Sequence, residues 1–174
     1  MKLLKSFLIL FIAISITSCS SSDDENSFEL VATNLVGEYT LTAYESVETE
    51  TATSSTGTET ILSTTTKTRS SSTVVVILNA NNTYSIDGIL VMDSKTDQDE
   101  NDDEIKDLDD TSGTYTLNIV SKTITLTPTT DESFIDGSFN IKTFKEDQIV
   151  LEQEVEGSGD VSISTTTDIT LERN

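Results

Sequence analysis

From Val36 onward, apolar and polar residues alternate in short runs separated by turn-forming clusters. Tyr39, Leu41 and Ala43 alternate with Glu38, Thr40 and Thr42, the two-residue period of a half-buried strand. Val74 to Leu78 is a continuous branched apolar run, which reads as a buried strand. Thr83 to Met92 alternates again, with Tyr84, Ile86, Leu90 and Met92 on one face and Gly88 marking a bulge or bend. Further strands are expected at Gly113–Ile119, Lys122–Thr127 (ended by Pro128), Ser138–Phe144 and Gln148–Val155. In the last run, Val161 to Arg173, the residues Val161, Ile163, Thr165, Thr167, Ile169, Leu171 and Arg173 share a face.

Turns are expected at Asn79–Asn82, Val120–Ser121, Lys145–Asp147 and Gly157–Asp160. Thr49–Thr58 reads as a loop or hairpin tip, and residues 131–137 as a loop. Glu59–Arg69 is polar on both faces apart from Ile61 and Leu62, so it is the weakest strand of the set. About eight to nine short strands with hairpin-length connections predict an all-β fold with antiparallel neighbours. An up-and-down barrel removes exposed edges and is the preferred architecture, with a β-sandwich as the alternative.

The first 18 residues follow a different pattern. Lys2 and Lys5 precede an apolar run from Phe7 to Ile16, and the small Ser18 stands before Cys19. A basic start, a short apolar middle and a small residue at the cut describe a secretory signal. The run is too short to span a bilayer, which takes ~20 apolar residues. Ile16-Thr17-Ser18-Cys19 resembles a bacterial lipobox. That resemblance implies cleavage before Cys19 and lipidation of its thiol, with the membrane as a partner through the lipid. Ser20-Ser21-Ser22-Asp23-Asp24-Glu25 resembles the surface-export signal of lipoproteins of the Bacteroidetes type, which implies an outer-membrane protein exposed at the cell surface. Residues 19–33 are then a lipidated cysteine and a flexible acidic tether, and 34–174 the folded domain.

Composition narrows the functions. The chain carries 31 acidic residues against 10 basic ones, a formal charge of −21. A domain this acidic repels nucleic acid, whereas basic partners suit it. Histidine is absent, which removes Ser-His-Asp triads and His-ligated metal sites. The single cysteine, Cys19, is assigned to lipid. No catalytic residues or cofactor are indicated, and the protein reads as a non-enzyme.

The acids concentrate in residues 93–110, ten of them against Lys95 and Lys106, and this stretch is expected to be an exposed acidic loop. Asp97, Asp99, Asn101 and Asp103 stand at alternate positions, as in a calcium loop. However, Asp102 replaces the glycine and Leu108 the final glutamate of that pattern. A solvated loop is therefore preferred over a loose calcium site.

Gly37-Glu38-Tyr39-Thr40-Leu41 and Gly113-Thr114-Tyr115-Thr116-Leu117 are near copies. With Asn81-Asn82-Thr83-Tyr84, Ile149-Val150-Leu151 and the closing Ile169-Thr170-Leu171-Glu172-Arg173, they follow the order of motifs in lipocalin-like lipoproteins, which residues 35–173 resemble. Tyr39 stands where that family has tryptophan. The resemblance implies that Arg173 stacks on Tyr39 and closes one barrel end. Strand parity alone gives an interior lined by Leu41, Tyr84, Ile86, Leu90, Tyr115, Leu117, Ile119, Phe139, Ile141, Leu151, Ile163 and Ile169, either as plain core or as the wall of a cavity for a small apolar ligand. Two other functions are expected as alternatives: a structural or interaction module with a filled barrel acting through its loops on a surface protein partner, or an accessory or inhibitor subunit of a surface complex.

Overall fold

The computed structural model describes residues 28–97, 102–129 and 135–174. The expected signal, lipidation site at Cys19 and export segment lie outside these residues. One short helix, α1 (Ala32–Leu35), precedes the strands β1 (Gly37–Thr53), β2 (Glu59–Ser72), β3 (Val75–Leu78) and β4 (Thr83–Asp87). They continue as β5 (Ile89–Thr96), β6 (Asp102–Asp107), β7 (Thr111–Asn118), β8 (Thr123–Pro128), β9 (Gly137–Phe144), β10 (Gln148–Val155) and β11 (Val161–Arg173).

The strands close an antiparallel eight-stranded barrel in the order β1-β3-β4-β7-β8-β9-β10-β11, and β11 returns to pair with β1. The remaining strands are continuations of barrel strands past a bend. β2 runs into β3 across Thr73 and Val74, β4 into β5 across Gly88, and β6 into β7 across Leu108–Asp110. The chain is thus an up-and-down meander of eight long strands, with five of them overrunning the barrel at one end. Beyond the barrel these overruns make an open sheet in the order β6-β5-β2-β1-β11.

Gly88 sits where the bends meet. Its φ is +116°, and its carbonyl accepts from the Leu108 amide at 2.9 Å. Its own amide donates to Asp109 Oδ1 at 3.0 Å.

Burial follows the alternation within the barrel. Tyr39, Leu41, Val76, Ile86, Tyr115, Phe139, Ile149 and Leu171 belong to one core. A register shift between Leu41 and Ala43 breaks the expected period of β1. One extra residue reverses which side chains face inward, so Ala43 is exposed and Tyr44 packs against the core.

Three further expectations are corrected. The acidic stretch 93–110 is not a loop: Asp93–Thr96 completes β5, Asp102–Asp107 forms β6, and β7 follows at Thr111. Charge does not forbid a strand at a sheet edge, where side chains meet water on both faces. The expected loop Thr49–Thr58 is shorter, since Thr49–Thr53 completes β1 and pairs with β2 and β11, while the strand expected at 59–69 is present, held by pairing with β1 and β5. Residues 28–33, expected as part of the tether, belong to the fold, since the Phe28 ring lies 5.1 Å from that of Phe144 and Leu30 and Leu35 pack on the core.

Candidate functional site

The barrel interior is the first place where a ligand-binding site would be expected. The pocket found there holds about 20 Å³ of free space, lined by aliphatic side chains and Tyr84. A volume of roughly 10–15 Å³ holds one water, and ligand pockets run to about 300–1,000 Å³. Leu35 from α1 and Ile135 from the loop before β9 line this space together with Ile124, Leu126 and Ile149. Strand parity missed Leu35 and Ile135, because neither lies on a strand.

Of the expected lining residues, Leu41, Tyr84, Ile86, Leu90, Tyr115, Phe139, Ile141, Leu151 and Ile169 are buried in the core, and Leu117 is partly buried against it. Ile119 is 51% exposed, in the turn after β7. Ile163 is 48% exposed. It shares parity with Ile169, but lies on the part of β11 that overruns the barrel.

The closed end is built around Arg173. Its Cζ lies 4.8 Å from the centre of the Tyr39 ring. Nη1 donates to Val36 O at 2.8 Å, Nε to Glu146 O at 2.9 Å, and Nη2 to Asn34 O and to the Tyr39 hydroxyl. The Tyr39 hydroxyl donates onward to Leu35 O at 2.7 Å. A helix end leaves its last carbonyls without intrahelical donors. Here one guanidinium and one phenol supply them. The arrangement also explains Gly37, since a Cβ there would collide with Arg173 Nη1. Asn174 holds the terminus in place, its amide donating to Glu38 O at 3.0 Å.

Burial pushes the Tyr39 phenol up to about 12, against a smaller opposing pull from Arg173. Burial also raises Tyr44 and Tyr115. The unfolded chain releases these protons near pH 10, so above that pH the folded state binds more protons than the unfolded state. The stability these phenols contribute is complete below pH 10 and lost as pH rises from 10 towards 12. With no histidine to titrate, melting temperatures are expected to be level from about pH 7 to 9 and to fall above about 10. Phenolate absorbance should appear together with unfolding. A decline that begins near neutrality would contradict this account.

The open end carries the charges. Lys67 Nζ lies 2.7 Å from Glu104 Oε2, and Lys106 Nζ 2.9 Å from Glu104 Oε1. Those two ammonium groups hold the Glu104 carboxyl below the usual carboxylate range. By register, Lys67 and Glu104 share the face of Ser46 and Met92, and Ser46 Oγ lies 3.2 Å from Thr167 Oγ1. Where β1 leaves β3 for β2, an open cleft of about 320 Å³ is lined by Thr42, Glu45, Arg69 and Asp168 among others.

Among the described residues no group of acids is arranged to hold a metal ion. Of the calcium candidates, Asp97 accepts from the Thr64 amide and Asp103 lies in β6, while Asp99 and Asn101 lie outside the described residues. No known protein family, curated protein or solved structure matches this chain. The case for function therefore rests on the chemistry of these surfaces.

Proposed function

We propose that this protein is a lipid-anchored, non-enzymatic interaction module of the outer cell surface, working through its overrunning sheet and loops. The observation that carries this reading is the filled barrel: its inward side chains form one buried core, and the pocket among them holds only about 20 Å³. The lipobox-like Ile16-Thr17-Ser18-Cys19 supports the anchor, and the order of lipocalin-like motifs along the chain fits the barrel.

The entry point of the chain adds an orientation. Phe28 and α1 pack at the closed end. Phe28 is the ninth residue after Cys19, a reach of at most about 30 Å. An anchor on Cys19 keeps the closed end near the bilayer and turns the open sheet outward.

Native mass spectrometry of the domain, isolated from its own host without detergent, tests the reading. The expected result is the bare polypeptide mass. A discrete small apolar adduct at one per chain would replace it with a ligand-carrying barrel that opens to bind. Lipid on Cys19 is expected to move the full chain to the membrane fraction, and Cys19→Ser to leave it there no longer.

A further inference from the structure

We infer that the outer edge of β6 is a docking strip for an extended segment of a partner protein, one in which basic and apolar residues alternate. The inference rests on the reading of this chain as an interaction module and names the chemistry of its partner.

β6 ends the open sheet, and no described strand lies beyond it. An edge strand presents a row of backbone amides and carbonyls to any strand that pairs with it. Alternation sorts its side chains. Glu104 and Lys106 lie on the inner face, where Lys67 and Lys106 both bind Glu104. The opposite face carries Asp103, Ile105 and Asp107.

That outer face is incomplete in two respects. Ile105 is 67% exposed and lies against Val91 of β5, an apolar step between two acids. Asp103 stands directly opposite Asp93, and like charges so placed destabilise a sheet. The ion pairs among the described residues are Lys67–Glu104, Lys106–Glu104 and Lys142–Glu152, so neither Asp93 nor Asp103 is in direct contact with a cation; Lys95, two residues along the same face of β5, pairs with neither. Asp107 accepts the Asp109 amide at 3.1 Å, which fixes its carboxylate beside the edge.

A strand added beside β6 would therefore place a cation beside Asp103, an apolar side chain beside Ile105 and a second cation beside Asp107. The occupant is not a second copy of this chain. An antiparallel pair centred on Ile105 would set Asp103 against Asp107 twice on that face. A chain at −21 also repels its own kind.

The test uses the full chain and a short peptide in which lysine, threonine, valine, threonine and lysine follow one another. A control peptide has the same composition with its lysines adjacent. The alternating peptide should bind at least about tenfold tighter than the control, and hydrogen exchange should slow at the β6 amides. In the variant with Asp103→Lys and Asp107→Lys, that peptide should be lost and its glutamate counterpart bound instead. Equal binding of the two lysine peptides would mean unspecific charge attraction and would overturn the proposal. So would protection elsewhere than β6, or self-association of the unaltered chain through this edge. If the peptide fails while the barrel still carries no ligand, the docking strip falls and the interaction-module reading stands. An apolar adduct in the barrel removes that broader reading instead.

Discussion

Replacing Arg173 with methionine is expected to cost the fold about 3 kcal/mol, mostly through carbonyls left without donors. Methionine keeps much of the apolar bulk, so the loss reports hydrogen bonds and charge rather than volume. The carbonyls of Asn34, Val36 and Glu146 would lose their donor, and the Tyr39 hydroxyl would lose the group that donates to it. Stacking on the ring adds ~0.5–2 kcal/mol. For a domain of this size, about 3 kcal/mol lowers the melting temperature by roughly 10 °C. Arg173→Lys should recover less than half of the loss, because an ammonium lacks the planar fork that reaches four acceptors at once.

Combining Arg173→Met with Tyr39→Phe should give less than the sum of the two, since both act on one network. Thermal melts of the three variants check this. Melting of Arg173→Met within about 2 °C of the unaltered protein would show that water replaces the guanidinium at little cost.

Gly88→Ala is expected to be more damaging still, about 4 kcal/mol, by two separate causes. Its φ of +116° is a conformation that side-chain-bearing residues rarely adopt. A Cβ there would also lie 2.5 Å from Thr73 O, 2.8 Å from Thr73 C and 2.9 Å from Val74 Cα. All three are backbone atoms of the bend between β2 and β3 and cannot swing aside. The Thr73 amide bonds Ile89 O, and the Ile89 amide bonds Thr73 Oγ1, so pushing Thr73 away breaks the seam at which both strands bend.

Gly57→Ala is the control. Gly57 has φ +79°, but nothing lies within 4 Å of the place its methyl group would take, so about 1 kcal/mol is expected from backbone strain alone. Denaturant melts of the two variants separate strain from collision. Equal losses would show that the strand can move away from Gly88.

Much of the barrel was legible because its strands are buried on one face. Tyr84, Ile86, Leu90 and Met92 fall on one parity of their segment, and all four are core residues. The same rule placed Ile163 with Ile169, yet only Ile169 is buried. Alternation tells which side chains share a face and is silent on how far the opposite wall extends. β11 outruns that wall, so its early residues keep the parity and lose the cover.

The acidic segment 102–107 read as a loop because charge usually marks solvent, and an edge strand is solvated too. The β1 bulge and α1 were missed for a related reason. A single inserted residue and a four-residue helix leave no periodic trace, and both are held by partners distant in sequence, such as Arg173.

By itself the sequence determined the antiparallel β architecture and the up-and-down order, because these follow from local alternation, turn residues and the order of segments, while the Tyr39–Arg173 pair was implied by the resemblance to lipocalin-like lipoproteins. The tertiary structure alone decided that the barrel is filled, that its strands overrun into an open sheet, and that the acidic run ends as the edge of that sheet. Those outcomes depend on where long strands lose their neighbours and on which side chains from α1 and the loops enter the space between them, quantities set by packing across the whole chain.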